Sequence, residues 1–159
     1  MIYKSKRIGK NGKEFWLFKF RTMRNEPGPK STAEDDPRIT KIGKFLRKTK
    51  LDELPQVWNL LKGDIGLVGW RPEDPQYLYT IPEEVLKTKP GIFGLATLWD
   101  IDEGAVLKGS SDPDKDYEEK ILPKKRELEV QYVRNRSIAL DIKILIQTIG
   151  RMIWKHTRN

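Results

Sequence analysis

The sequence predicts an α+β fold: a mainly helical single domain with an N-terminal β-hairpin. Three observations lead there. Ile2-Tyr3 and Phe15-Trp16-Leu17-Phe18-Lys19-Phe20 are strand-like, and Asn11-Gly12 between them is a strong two-residue turn signal. Downstream of Ile39 the apolar residues recur at helical spacing. The chain has 159 residues, enough for one domain with a moderate core, and no repeat or linker divides it.

The hairpin takes residues 1–24. Its aromatic strand positions are expected to pack inward. Asn25 to Pro37 is polar and holds Pro27, Gly28, Pro29, Ser31 and Thr32, so it reads as a loop. Asp35-Asp36 before Pro37 favours an Asx turn over a functional pair. A helix is expected near Ile39 to Lys48. A second runs from about Asp52 to Lys62, with Leu54, Val57, Trp58 and Leu61 on one side and Gly63-Asp64 as its stop. Gly66 to Pro72 is a tight apolar turn or short strand. Pro82 to Lys87 reads as a short helix, and Lys89-Pro90-Gly91 as a loop. Residues 100–116 are acidic and rich in Gly, Ser and Asp, hence a surface loop. A helix follows from about Pro123 to Val133. The last, Leu140 to Trp154, is amphipathic: Leu140, Ile144, Ile146, Ile149, Met152 and Ile153 lie among Lys143, Arg151 and Lys155. Such a helix suits either the domain core or a lipid headgroup layer.

Composition removes several chemistries. There is no cysteine, so disulfides and thiolate metal sites are excluded. The only histidine, His156, lies near the C-terminus, which argues against His-based triads and multi-His zinc sites. Charge is uneven: +10 over residues 1–50, −8 over 51–118 and +6 over 119–159, from 15, 6 and 10 basic against 5, 14 and 4 acidic residues. Basic ends of this kind attract phosphates on nucleotides, nucleic acids or anionic lipid. No apolar run approaches the ~20 residues of a spanning helix, and no signal peptide is visible.

Leu51-Asp52-Glu53-Leu54-Pro55-Gln56 sets two adjacent carboxylates at a helix start within basic surroundings. Thr49 with Asp52 fits the spacing of a capping box. With Asp52 as the cap instead, Pro55 falls within the first turn, where its missing N–H is tolerated. Either arrangement puts Asp52 near the positive end of the helix dipole, which keeps it ionised and draws phosphate to the same place. Arg47, Lys48 and Lys50 add positive charge. An acidic helix N-terminus is also ordinary helix design, so the pair alone does not decide function.

The surrounding motifs do more. Lys19-Phe20-Arg21-Thr22-Met23, Asp35-Asp36-Pro37-Arg38-Ile39-Thr40, Leu46 to Asn59, Lys62-Gly63-Asp64 and Val68-Gly69-Trp70-Arg71-Pro72 follow one another at short spacings. Together with Lys89-Pro90-Gly91-Ile92, Gly94, Tyr132 to Ser137 and Asp141, they closely resemble the bacterial sugar transferases, monotopic phosphoglycosyl transferases that act on polyprenyl phosphate.

The resemblance implies that Asp52 is the nucleophile. It would attack the β-phosphorus of a nucleoside-diphosphate sugar, usually a UDP-sugar, expel UMP and pass the phosphosugar to polyprenyl phosphate. It implies Mg²⁺ held through Glu53, and Arg71 as a phosphate clamp. A metal that takes one or two carboxylates plus substrate phosphates suits this dyad, and a planar guanidinium suits paired phosphate oxygens. Lys19, Arg21 and Arg38 are expected to reach the same pocket. Asp141 is expected to cap or pair within its helix. On this reading residues 25–72 are the catalytic core and 73–159 a specificity and helical region.

Two departures stand out. Trp70 replaces the first proline of the family's Gly-Pro-Arg-Pro motif, and Phe93-Gly94-Leu95-Ala96 replaces the usual continuation, which leaves the sugar open. The family also carries a hydrophobic re-entrant helix just before the hairpin, and Met1 follows its expected end. The chain therefore reads as a catalytic domain of a longer protein or as an anchorless variant. It is expected as a peripheral protein at the cytoplasmic face of a bacterial inner membrane, against anionic lipid and beside a separate anchoring segment. The alternatives are a basic nucleic-acid-binding module and an inactive partner of a full-length transferase. Nucleic acid is not the expected partner.

Overall fold

The structure is a computed structural model that describes residues 1–99 and 103–157, with side chains through Arg151. Asp100 and Asp102, and the side chains of Met152, Ile153, Lys155 and His156, lie outside the described residues.

The hairpin forms as expected. Strands β1 (Ile2–Ile8) and β2 (Glu14–Phe20) pair antiparallel, from Ile2 opposite Phe20 to Ile8 opposite Glu14. Its tip is one 3₁₀ turn with Asn11 at φ 58° and Gly12 at φ 72°, the left-handed conformation those two residues tolerate best. Alternation puts Tyr3, Ser5, Arg7, Phe15, Leu17 and Lys19 on one face. Leu17 anchors that face in the core. Not every aromatic packs inward: Trp16, on the other face, is 49% exposed, with the Lys6 ammonium 5.9 Å above its ring. Amphipathic residues can shield such a ring from the solvent side.

The chain then doubles back. Met23 bridges Ile39, and Thr40 N donates to Thr22 O, so the first helix starts beside the end of β2. The polar loop between them contains the Asx turn: Asp36 Oδ1 accepts from Arg38 N at 2.9 Å. Helix α1 (Lys41–Thr49) is capped by the Thr40 hydroxyl, which accepts from Gly43 N at 2.9 Å. A Cβ on Gly43 would collide with the Thr22 carbonyl, so glycine lets α1 lie flush against this segment.

The expected helix over Asp52–Lys62 is broken in two. Lys50 adopts φ 58° and ends α1 in the left-handed region, which a non-glycine residue enters at a cost. One 3₁₀ turn, Leu51–Glu53, follows, and helix α2 (Gln56–Lys62) starts behind Pro55. Pro55 has no N–H to extend the α ladder backward. Thr49 is thus the last residue of α1 and no capping residue: its hydroxyl donates to Phe45 O at 2.9 Å. The Asp52 side chain caps nothing either. Asn59, fully buried, fastens α2 to the edge of β2: Nδ2 donates to Trp16 O at 2.7 Å and Oδ1 accepts from Phe18 N at 3.1 Å. Gly63 at φ 79° closes α2.

Strand β3 (Gly66–Val68) pairs parallel with β4 (Gly91–Phe93), and a Trp70–Pro90 bridge continues the ladder. The stretch expected as a loop at 89–91 is therefore the start of a strand. Gly69 and Gly91 press backbone to backbone, with no room for a Cβ on either. Trp70 is buried and donates its indole N–H to Thr88 O at 3.3 Å, packing with Ile8, Ile81 and Val85. A 3₁₀ segment (Pro75–Thr80) and α3 (Glu83–Leu86) connect the two strands.

Helix α4 (Leu95–Trp99) follows β4. Residues 100–116, expected as a surface loop, instead contain α5 (Glu103–Val106) and α6 (Pro113–Asp116) among their described part. Leu107 there is fully buried and joins Ala33, Tyr77, Tyr117, Ile121 and Leu122 in a second apolar cluster. One π turn (Tyr117–Ile121) leads into α7 (Leu122–Arg134), and α8 (Ile138–Thr157) ends the described chain. Asp141, in the first turn of α8, accepts from the Tyr132 hydroxyl at 2.7 Å.

Two apolar surfaces are left uncovered. Ile42 and Phe45 of α1 lie exposed, as do Leu54, Val57, Trp58 and Leu61 around α2. On α8, Ile144 is buried while Ile138, Ile142, Ile146 and Ile149 are exposed. No described helix is long and apolar enough to cross a membrane.

Candidate active site

The left-handed Lys50 and the 3₁₀ turn after it aim Asp52 and Glu53 inward beneath the end of β2. Lys19 descends from β2 and Arg71 from the segment after β3. Both reach the same atom: Glu53 Oε1 lies 3.3 Å from Lys19 Nζ and 3.4 Å from Arg71 Nη2. Burial favours the neutral acid, but Lys19, Arg71 and Lys50 outweigh it and hold the Glu53 carboxyl well below the usual carboxylate range. Burial pulls the Lys19 ammonium down against the attraction of Glu53, and the cationic Arg71 and Arg7 add to the pull. The Arg71 guanidinium is raised: burial opposes this, and Glu53 and Glu103 outweigh it.

Asp52 is treated differently. It is 8% exposed, and its Oδ1 is buried with no hydrogen-bond partner. Burial pushes its carboxyl up, countered by Lys19 and reinforced by its neighbour Glu53. A buried carboxylate oxygen left unpaired costs free energy. It also remains an unencumbered electron pair, as a nucleophile requires.

Arg47, at the end of α1, is a cation that sequence reasoning noted only as background. Its Nε donates to Thr22 Oγ1 at 3.0 Å, and its charge acts on both Asp52 and Asp36. Burial depresses it.

Arg21 and Arg38 do not join this cluster through any hydrogen bond. Arg21 is exposed and stacks 5.5 Å over the Tyr3 ring. Arg38 is neutralised close to home: Nη2 lies 2.6 Å from Asp36 Oδ2 and 2.8 Å from Pro29 O. The carboxylate two residues upstream captures its fork before it can reach the dyad.

Behind Arg71 lies a buried polar network that the sequence did not advertise. Lys125 Nζ is 2.8 Å from Glu73 Oε1 and 2.5 Å from the Tyr117 hydroxyl, which itself donates to Glu73 Oε1 at 2.9 Å. Arg126 bonds Glu129 and reaches Glu73 Oε2 at 3.9 Å. Burial opposes ionisation of Glu73, yet Lys125 and Arg126 hold its carboxyl down to about 2. Lys124-Lys125-Arg126 reads as a solvated helix face in the sequence; only the tertiary position of Glu73 explains why Lys125 is 1% exposed. The network fixes the Arg71-Pro72-Glu73 segment from behind.

Among the described residues no group of three or more His, Asp or Glu side chains is arranged to hold a metal ion. The dyad offers two carboxylates on adjacent residues.

Comparisons with known proteins agree on one family. The family model described as bacterial sugar transferase matches residues 1–155. The galactosyl transferase CpsE of Streptococcus agalactiae is 39% identical, with 93% of this chain and 33% of that protein covered. The uncharacterized sugar transferase EpsL of Bacillus subtilis is 40% identical, with 96% and 70% covered. The UDP-glucose:undecaprenyl-phosphate glucose-1-phosphate transferase of Escherichia coli is 36% identical, with 94% and 32% covered. The chain thus spans about a third of the length of CpsE and of the E. coli transferase.

Proposed function

The chain belongs to the bacterial sugar transferase family, and from that premise we propose that it moves a sugar 1-phosphate from a nucleoside-diphosphate sugar to polyprenyl phosphate. Relatives named for UDP-glucose, UDP-galactose and undecaprenyl phosphate support a UDP-sugar donor and a polyprenyl acceptor. The observation that carries the reading is the division of labour in the dyad: Asp52 is buried with a free oxygen, while Glu53 is held between two cations.

In the first step an Asp52 carboxylate oxygen forms a bond to the β-phosphorus, and the bond from that phosphorus to the bridging oxygen breaks. The nucleoside monophosphate, UMP for a UDP-sugar, leaves with that oxygen and its electron pair. In the second step a phosphate oxygen of the lipid attacks the same phosphorus and the Asp52 carboxylate departs. Splitting one displacement into two is what a carboxylate nucleophile contributes. Lys19 and Arg71, already converged on Glu53, are the cations proposed to meet charge on the phosphoryl oxygens, and a guanidinium offers two donors in one plane for that role.

The residues fit Mg²⁺. Glu53 stays anionic, and Asp52, next to it in the chain, has a buried carboxylate oxygen without a hydrogen-bond partner. Hard oxygen donors of this number suit an ion that completes its shell with substrate phosphate and water. When bound there, the ion would neutralise charge on the diphosphate; Glu53 is the residue proposed to hold it.

The exposed apolar side of α1 and α2, bordered by Lys41, Lys44 and Lys48, suits the headgroup layer of an anionic membrane, where a polyprenyl acceptor resides.

The test is a screen of UDP-sugars for UMP release with Mg²⁺, with and without polyprenyl phosphate. A phosphosugar adduct on the intact protein, seen by mass spectrometry with donor alone and located at Asp52, is the expected result. UMP release that strictly requires the acceptor, with no adduct, would replace the two-step route by direct transfer.

A further inference from the structure

Arg7 is out of keeping with the other described arginines. Its guanidinium makes no hydrogen bond, salt bridge or ring stack among the described residues, and its Nε is buried without a partner. Elsewhere Arg38 has Asp36, Arg71 has Glu53, Arg126 has Glu129 and Arg134 has Glu84. A buried donor left unsatisfied is destabilising, so native structures rarely keep one unless something else completes it.

Its position says what that is. The hairpin register sets Arg7, Ser5 and Lys19 on one face, and Ser5 also has a buried hydroxyl without a partner. The next residue, Ile8, donates its N–H to Glu73 O at 2.9 Å, which ties the end of β1 to the segment bearing Arg71. Arg7 therefore stands between the strand that carries Lys19 and the segment that carries Arg71. Its charge acts on Lys19 as a like charge, depressing that ammonium further. Unpaired cationic and hydroxyl donors on the hairpin face that also carries Lys19 await an oxyanion.

Resting on the transfer reading above, we propose that Arg7 is a further phosphate-binding residue of this site, which turns its free guanidinium to a phosphate oxygen of a bound substrate, with the Ser5 hydroxyl beside it. The shared chemistry is a phosphate oxyanion; the nucleoside diphosphate and the lipid phosphate are its two possible sources.

The test uses the full chain with Arg7→Gln and Arg7→Lys. Calorimetric titration with inorganic pyrophosphate should show affinity falling about tenfold or more in Arg7→Gln, as for loss of a charge-assisted fork, with part regained in Arg7→Lys. The melting temperature of the ligand-free Arg7→Gln protein should be unchanged or raised, because only a repelled, unpartnered cation is removed. A role confined to holding the hairpin predicts the reverse: lower melting temperature and unchanged pyrophosphate affinity, and that result would overturn the proposal, as would a parent protein that does not bind pyrophosphate. UMP release by the parent, measured alongside, reports on the transfer reading independently. With turnover in hand, a KM rise confined to the UDP-sugar or confined to polyprenyl phosphate identifies the source of the phosphate. Unchanged KM and kcat in Arg7→Gln would reject Arg7 while leaving the transfer reading intact.

Discussion

Asp52 and Glu53 are adjacent in the chain and opposite in electrostatics. Glu53 receives Lys19 and Arg71 on one oxygen, whereas Asp52 keeps a buried oxygen with no partner. Tertiary neighbours cause the difference: Lys19 from β2 and Arg71 from the segment after β3 both reach Glu53 Oε1, and neither hydrogen-bonds Asp52.

Asp52→Asn should abolish turnover with little harm to the fold. Removing an anionic nucleophile of near-identical shape should cost on the order of 10³-fold or more in kcat, over ~4 kcal/mol in barrier. The folded carboxyl is raised above its ordinary 3.8, so the native state binds more protons than the unfolded one just above that value, and Asp52 opposes folding once it ionises. The asparagine variant should therefore melt no lower than the parent near neutral pH. Normal turnover in Asp52→Asn would exclude it as the nucleophile.

The acid limb of the rate profile should belong to Asp52. Only the carboxylate attacks, so activity in the absence of other titrations falls as pH drops through an Asp52 value above the ordinary one. Glu53 stays ionised well below that range, since its carboxyl is strongly depressed by Lys19 and Arg71 against burial. A Glu53→Gln protein should show the acid limb shifted to lower pH, because the like charge that helps raise Asp52 is gone, while its Mg²⁺ titration shifts to higher concentration. Identical Mg²⁺ titrations for variant and parent would remove Glu53 as the metal ligand.

Arg71→Lys keeps the charge and loses the fork. If Arg71 grips a phosphoryl group through two donors, activity should drop about tenfold or more even though Glu53 retains a cation nearby. Equal kcat/KM in variant and parent would reduce Arg71 to a point charge.

The hairpin, its Asn-Gly tip and the Asx turn before Pro37 were legible because local residues determine them. That Lys19 and Arg71 come together at the Asp52-Glu53 pair was legible only through the family's motifs, not through local residues. The β3–β4 ladder was not: it consists of three-residue strands paired across more than twenty residues, too short to show alternation. Arg38 was misplaced because a sequence does not reveal that Asp36 takes its guanidinium first. Lys125 and Glu129 were invisible for a related reason. Charged helix residues are nearly always solvated, and only the tertiary meeting with Glu73, Arg126 and Tyr117 makes their burial tolerable.

That buried network should support stability in a pH-dependent way. Glu73 is held down to about 2 against an ordinary 4.5, so the unfolded state binds more protons between those values. Its contribution is complete above about pH 4.5 and disappears as pH falls toward 2. Lys125→Met leaves Glu73 buried with one strong cation fewer and should cost about 3–5 kcal/mol by urea unfolding. The double variant Glu73→Gln/Lys125→Met should lose less than the sum of the two singles. Additive losses would mean that the two side chains stabilise the fold independently.

The apolar side of α1 and α2 makes the last prediction. Ile42, Phe45, Trp58 and Leu61 are each more than half exposed, and an uncovered patch of this kind on a single domain marks an interaction surface. Lys41, Lys44 and Lys48 are exposed on α1 beside it, and each basic residue near anionic lipid contributes about 1 kcal/mol. A membrane occupant explains both features at once, because lipid supplies hydrocarbon for the rings and negative charge for the ammonium groups. Vesicles containing phosphatidylglycerol should therefore pellet the protein and shift tryptophan emission to the blue, while neutral phosphatidylcholine vesicles should do so weakly. Salt should weaken the charged share of the binding within a Debye length of about 8–10 Å and leave the apolar share. Trp58→Glu with Leu61→Ser should reduce binding to anionic vesicles while the far-ultraviolet circular dichroism spectrum stays that of the parent, since neither side chain is buried in the core. Unchanged vesicle binding in that double variant would show that the membrane meets a different face of the protein.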